Sequence, residues 1–243
     1  MAHRTPLQVD AAIRAMLDVS GGIVGAAEFR AAGIGRDALR RRLREGALQE
    51  PFPGVFATVS TQLDEPTRRR AAVLSCGAGA ALTGWSAAQQ LALVTFQEVP
   101  DDEIHVVVPA GRRPRRAATG IRIVRSELLV PDDIVVHDEV ACLRLCPLLH
   151  VLSATYPVRT VERLLDEAAY LGLWKPWEMA EYLDRVADRR GTAALADLIE
   201  RHTPGTTRTT NRLEETFLEI CDAEGWPRPI CQQPERLADG RRI

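Results

Sequence analysis

Apolar residues recur three and four apart at Val9, Ile13, Met16 and Leu17, which predicts a helix over 8–17 with one side turned inward. Ser20-Gly21-Gly22 breaks it. The next stretch runs GGIVGAAEFRAAGIGRDALRRRLREGALQEPFPGVFATV from Gly21 to Val59. It predicts a helix over 25–32, a left-handed stop at Gly33, and a second helix over 36–45 ended by Gly46. Ile34 sits in the turn, where an apolar side chain holds the two helices together. Leu39 and Leu43 are four apart and share the inward face. Asp37, Arg40, Arg41 and Arg44 fall toward the opposite one. Strands over 48–52 and 55–59 pair as a hairpin, or wing, around Pro53-Gly54.

Thr61 to Pro66 is a polar linker, and Pro66 opens a helix to residue 74. The glycine-rich 76–81 lacks the lysine and spacing of a phosphate loop. Thr83 caps a helix over 84–91 that turns Trp85, Ala88 and Leu91 inward. After a turn at 99–103, IHVVVP at 104–109 reads as a buried strand. A basic loop, GRRPRRAAT, forms the tip of a hairpin before a strand at 121–125. A second hairpin joins 134–136 to 140–143 across His137-Asp138-Glu139. Beyond Pro147 the period is helical at 147–153, 158–171, 177–186 and 192–201. In the second of these helices Val161, Leu164, Leu165 and Ala168 form the seam, and Glu162, Asp166 and Glu167 form an exposed acidic face. Trp174 and Trp177 anchor the Lys-Pro turn to the core. TPGTTRTT is a linker, and Asn211 caps a last helix to Glu224 with Glu214 spaced as its capping-box partner. Strands at 230–233 and 241–243 follow, and the chain stops in mid-strand, leaving that apolar helix without a sheet.

The fold class expected is α+β, mostly helical. Residues 1–60 form a winged helix-turn-helix, 67–145 a small α/β unit, 146–203 a helical segment, and 210–243 an incomplete α/β piece.

Net charge of −2 over 243 residues rules out a diffuse basic coat, so any contact with DNA is local. All but one of the 31 basic residues are arginine. No apolar run long enough to span a bilayer and no signal core is present, so a cytoplasmic protein is expected. The five cysteines are scattered and make no disulfide framework. His137, Cys142, Cys146 and His150 are zinc-ligand types, but no close CxxC or HxxxH pair accompanies them, and buried structural cysteines are expected instead. No metal or cofactor is expected.

The arginine helix has two readings: a solvated basic surface, or a helix for the major groove, where phosphates are neutralised and guanine edges accept bidentate arginine. The order helix, glycine turn, basic helix, hairpin favours the second. Arg112, Arg113, Arg115 and Arg116 form another basic patch, either a solvated tip or a secondary phosphate contact.

These landmarks together resemble the actinobacterial type IV toxin–antitoxin AbiEi-like antitoxin-domain proteins, many of which carry a C-terminal domain related to very-short-patch-repair endonucleases. The matching pieces are GGIVGAAEFRAAGIGRDALRRRLREGAL with GVFAT, then LTGWSAAQQLAL, IHVVVPAGRR with GIRIVRSELLVPDDIVV, the helix after Leu145-Cys146-Pro147, and TRTTNRLEETFLEICDAEGWPRP. The resemblance implies a DNA-binding autorepressor of a toxin–antitoxin operon. Arg36, Arg40, Arg41 and Arg44 are then on double-stranded DNA, and a toxin of the same operon is an indirect partner. It also implies a restriction-endonuclease-like C-terminal domain, in which Glu214 matches an early helix glutamate. The carboxylates that would complete a metal site are absent from the chain, so no nuclease activity is expected. The alternative is a fragment of a metal-dependent endonuclease-family protein. Two departures stand out: the family's basic wing tip is replaced by Gln49-Glu50-Pro51-Phe52-Pro53, and its Arg-Thr pair by Leu148-Leu149-His150.

Overall fold

The computed structural model describes residues 5–94, 103–112, 119–202 and 212–230. Its described residues form a mixed α/β protein with ten α-helices and two sheets. The chain divides into two compact units, 1–90 with 101–142, and 91–100 with 143–243.

The first unit opens with helix α1 (Pro6–Val19). Thr5 and Gln8 make a reciprocal capping box at its start, Gln8 Oε1 accepting from Thr5 N at 2.8 Å. Strand β1 (Ile23–Gly25) follows, then α2 (Ala26–Ala31), α3 (Arg36–Arg44), β2 (Leu48–Phe52) and β3 (Val55–Thr58). β3 is central and pairs antiparallel with both neighbours, in the order β1-β3-β2. β1 was not expected: three residues between two helix breaks are too few to show a period. Gly33 has φ +78, and Ile34 N donates to Phe29 O at 2.8 Å, which closes α2. Nothing crowds a Cβ at Gly33, so the backbone angle alone selects glycine there. Ile13, Leu17, Val24, Phe29, Ile34, Leu39, Leu48 and Phe56 form one buried cluster, with the Phe29 and Phe56 rings edge to face.

Helix α4 (Glu65–Cys76) is capped by Asp64, whose carboxylate accepts from Thr67 N at 3.0 Å. Thr61, at the start of the polar linker, is held to the hairpin: its N donates to Thr58 O at 3.0 Å and its O accepts from Gln49 Nε2 at 3.1 Å. Beyond α4 lie β4 (Ala81–Leu82), α5 (Gly84–Gln90), β5 (Ile104–Pro109), β6 (Ile121–Ser126), β7 (Ile134–His137) and β8 (Val140–Leu143). They make a five-stranded sheet in the order β6-β5-β4-β8-β7. Its middle strand, β4, has two residues, both wholly buried, and was not expected. Thr83 does not cap α5 with its side chain; its hydroxyl is buried with no hydrogen-bond partner among the described residues. β5 and β6 run parallel over six registered pairs. The hairpin expected between them is therefore excluded. The β7–β8 turn holds Asp138 and Glu139 at φ 45 and 62, and Glu139 Oε2 lies 3.0 Å from Arg70 Nη1 on α4.

The second unit is helical: α6 (Leu145–Ser153), α7 (Val158–Tyr170), α8 (Pro176–Arg185), α9 (Thr192–Arg201) and α10 (Arg212–Glu224). α6 is its core, with Leu148, Leu149 and Leu152 fully buried. His150 is buried in the same helix. Its Nε2 lies 3.1 Å from Thr192 Oγ1 and its Nδ1 3.1 Å from the Tyr182 hydroxyl. Thr192 Oγ1 gives its own proton to Val186 O at 2.6 Å, so its oxygen accepts from Nε2–H and Nδ1 accepts from the tyrosine. Burial lowers the His150 pKa, which suits that neutral ring. Gly191 has φ +93, and a Cβ there would lie 2.9 Å from Ala154 N, so both angle and space demand glycine. Trp177 is exposed and does not anchor its turn to the core. Of the strands expected at 230–233 and 241–243, only Ile230 is described, outside any strand; the rest, and the Asn211 cap, lie outside the described residues.

Candidate nucleic-acid interface

α3 is short and strongly two-sided. Leu39 is buried, Leu43 packs half-buried on the same cluster, and Arg36, Arg40, Arg41 and Arg44 are exposed. Arg41 Nε lies 3.5 Å from Glu45 Oε1, a pair in which both side chains are about half in solvent. Such a pair is worth little and leaves the guanidinium available. Among the described residues Arg36, Arg40 and Arg44 have no ion-pair partner. Three like charges spaced four apart over about two turns of helix repel one another, and an array of phosphates is the chemistry that relieves this.

The fifth arginine of the helix is different, and the sequence pattern missed it. Arg42 is 3% exposed. Its Nε donates to Asp10 Oδ1 on α1, its Nη1 to Ala38 O at 2.7 Å, and its Nη2 lies 3.5 Å from Pro6 O. The available signal was its place three residues after Leu39, on the inward side.

The hairpin tip carries no cation. Glu50 Oε1 accepts from Gly54 N at 2.7 Å, Gly54 O from Ala26 N at 2.7 Å, and Pro53 O from Ser75 Oγ on α4 at 3.1 Å. Its polar groups are thus committed within the protein, and its one charged side chain is an acid.

Arg112 is exposed, and its Nε donates to Ala78 O at 3.1 Å just after α4. Arg113, Arg115 and Arg116 lie outside the described residues. Glu214 is half-buried on α10. No group of three or more His, Cys, Asp or Glu residues is placed to hold a metal among the described residues. The zinc types do not assemble there: both nitrogens of His150 are committed, and burial pushes the Cys142 thiol up to about 11.

The acidic face expected on α7 is not exposed. Glu162, Asp166 and Glu167 are 7%, 2% and 7% exposed. Asp166 Oδ1 lies 3.0 Å from His202 Nε2, and Glu162 meets Arg159 Nη1 at 3.2 Å and Arg228 Nη1 at 2.5 Å. Burial works against the charged imidazole, but Asp166 and Glu162 outweigh it and raise His202 to about 9. Burial likewise pushes Glu162 up, and His202, Arg228 and Arg159 together bring it below the ordinary value. Arg228 also donates Nη2 to Asp222 Oδ2 at 2.6 Å. A groove of about 500 Å³ lined by Val158, Glu162, Leu198, Asp222 and Arg228 opens beside this network. Glu162 and Asp222 answer Arg228, and Arg201, also on its wall, pairs with Asp197.

One comparison bears directly on the arginine helix. Residues 14–59 match the family model described as a transcriptional regulator, AbiEi antitoxin. The antitoxin-like stretch runs from within α1 to the end of β3, and so contains α2, α3 and the hairpin entire. It supports a regulator rather than an enzyme for this part of the chain. It does not reach the C-terminal residues, where nothing found supports the endonuclease resemblance. The crystal structure of the RV2827C protein from Mycobacterium tuberculosis is 23% identical, with 93% of this chain and 80% of that one covered and a TM-score of 0.34. No curated protein matches. Among the described residues no helix is long and apolar enough to cross a membrane.

Proposed function

We propose that the chain is a DNA-binding transcriptional regulator of the antitoxin kind that represses its own operon. The N-terminal helices and hairpin act as a winged helix-turn-helix, with α3 in the major groove. The observation that carries this is the coincidence of the antitoxin-family match with α3, whose Arg36, Arg40 and Arg44 are exposed and unpaired among the described residues. Arg40 and Arg44 sit deepest toward the groove and Arg36 flanks them on the phosphates. Arg41 exchanges Glu45 for a phosphate. The hairpin contributes shape rather than charge, since Glu50 stands where a wing would supply a cation. Arg112 is a secondary phosphate contact. A toxin of the same operon is reached through control of transcription in the cytoplasm, not through a contact of this surface.

The test is a gel shift with DNA from upstream of the gene, over a salt series. Wild-type protein binds it with a steep log–log salt dependence of about −0.9 per phosphate neutralised. Arg40→Ala, Arg41→Ala and Arg44→Ala together abolish binding while the protein melts as wild type does. Undiminished affinity in a normally folded triple variant would remove α3 from the interface.

A further inference from the structure

We infer that Arg42 and Asp10, which do not face the proposed groove, fix the pose of α3 and thereby its choice of sequence. This rests on the function proposed above. α3 has nine residues and is held to the cluster by Leu39 and, half-buried, Ala38 and Leu43. Apolar contact is non-directional, so these few side chains keep a short helix down but resist its rolling about its own axis only weakly. Hydrogen bonds are directional. The Arg42 guanidinium supplies several at once: Nε and Nη2 on Asp10 Oδ1, Nη1 on Ala38 O of its own helix, and Nη2 facing Pro6 O. Ala38 O fixes the fork relative to α3, and Pro6 with Asp10 fixes it relative to α1. Pro6 and Asp10 lie on successive turns of a helix start that Thr5 and Gln8 already lock. The planar fork of arginine spans these acceptors; the single ammonium of lysine does not.

Arg42 is neutralised and buried, so it is not itself a DNA contact. Every outward guanidinium is nevertheless carried on the same rigid helix. Bidentate contact with a base edge tolerates only about 0.5 Å and 10–20° of misplacement. Phosphate contact through long side chains is far more forgiving. A helix free to roll therefore keeps its affinity for DNA in general and loses its preference among sequences. Arg42 and Asp10 are positioning residues for specificity.

The experiment uses the full chain and a duplex selected from a random library by the wild-type protein, with a scrambled duplex as reference. Arg42→Met preserves length and burial; Asp10→Asn changes a side chain that is 47% exposed. Both variants lower the ratio of selected to scrambled affinity by about tenfold or more, the scale of one bidentate base contact. Scrambled affinity and the salt slope stay at wild-type values, and Arg42→Lys falls between. A merely structural role would instead weaken both duplexes together in step with the melting temperature. Full discrimination in both variants overturns the inference. So does a salt slope reduced by about one in Arg42→Met, since Arg42 would then be a phosphate contact. If Arg42→Met does not fold, Asp10→Asn decides alone. A wild-type protein without sequence preference removes the proposed function itself, and the inference with it.

Discussion

α3 and α7 carry the same signature in sequence, an apolar seam with a block of like charges beside it, and the structure treats them in opposite ways. On α3 four of five arginines stay in water. On α7 all three acids are buried, Asp166 against His202, and Glu162 against Arg228 and against Arg159 of its own helix. Periodicity identifies the face that meets the core. It does not say whether another element later covers the rest, because that depends on partners far away in sequence. His202 and Arg228 are such partners, one at the end of α9 and one beyond α10. Among the described residues the α3 block meets only the adjacent Glu45, half in solvent on Arg41, and the distant Asp10, which takes Arg42.

The contrast is broken most forcefully at the buried block. Asp166→Ala takes away one of the two carboxylates that hold the buried His202 cation and should cost roughly 3–5 kcal/mol, read by urea unfolding. A loss below about 1 kcal/mol, the ceiling for exposed pairs, would mean that the α7 acids behave like surface charges after all. Next in size is Leu39→Ala on the inward side of α3, expected to cost about 2–5 kcal/mol in the same measurement. An unchanged midpoint there would show that the inward face does not hold the helix.

A smaller effect separates the two blocks by pH. The His202 pKa is raised in the folded protein to about 9, from an unfolded value near 6.5. A raised cation stabilises fully below the unfolded value, and that contribution is lost as pH rises through about 9. Stability should therefore decline from neutral pH to about pH 10, and His202→Gln should flatten that decline. An identical slope in the variant would assign the pH dependence to another group. Smallest of all, Arg44→Ala should change stability by no more than about 0.5 kcal/mol while weakening DNA binding. A drop in melting temperature comparable to that of Leu39→Ala would mean that Arg44 is part of the core.

Much of the fold was legible locally. The helices from α1 to α3, the hairpin and all four helices from α6 to α9 follow from spacing and from glycine and proline punctuation, within a few residues of their observed ends. What escaped was decided by tertiary pairing. Ala81-Leu82 is too short to carry a period, and only the neighbours on either side make it a strand. The parallel alignment of β5 with β6 depends on the path between them, to which composition is blind. At the candidate site the outward arginines were legible from helical phase. Arg42 was not, because an arginine on an inward position reads as an exception until its acid on α1 is seen.

The turn at Asp138-Glu139 poses a different kind of constraint. Two-residue hairpin turns with positive φ at both positions favour Asn-Gly, and a non-glycine residue there is strained. Glycine at 139 would relax the backbone, yet it would also delete the carboxylate that meets Arg70 of α4. Two opposed demands thus meet in one residue, and no single replacement satisfies both. Drift at 139 is therefore coupled to drift at 70. Among related chains, a glycine in this turn should be found together with a residue other than arginine on α4, the mark of a lineage that gave up the tether for an easier turn.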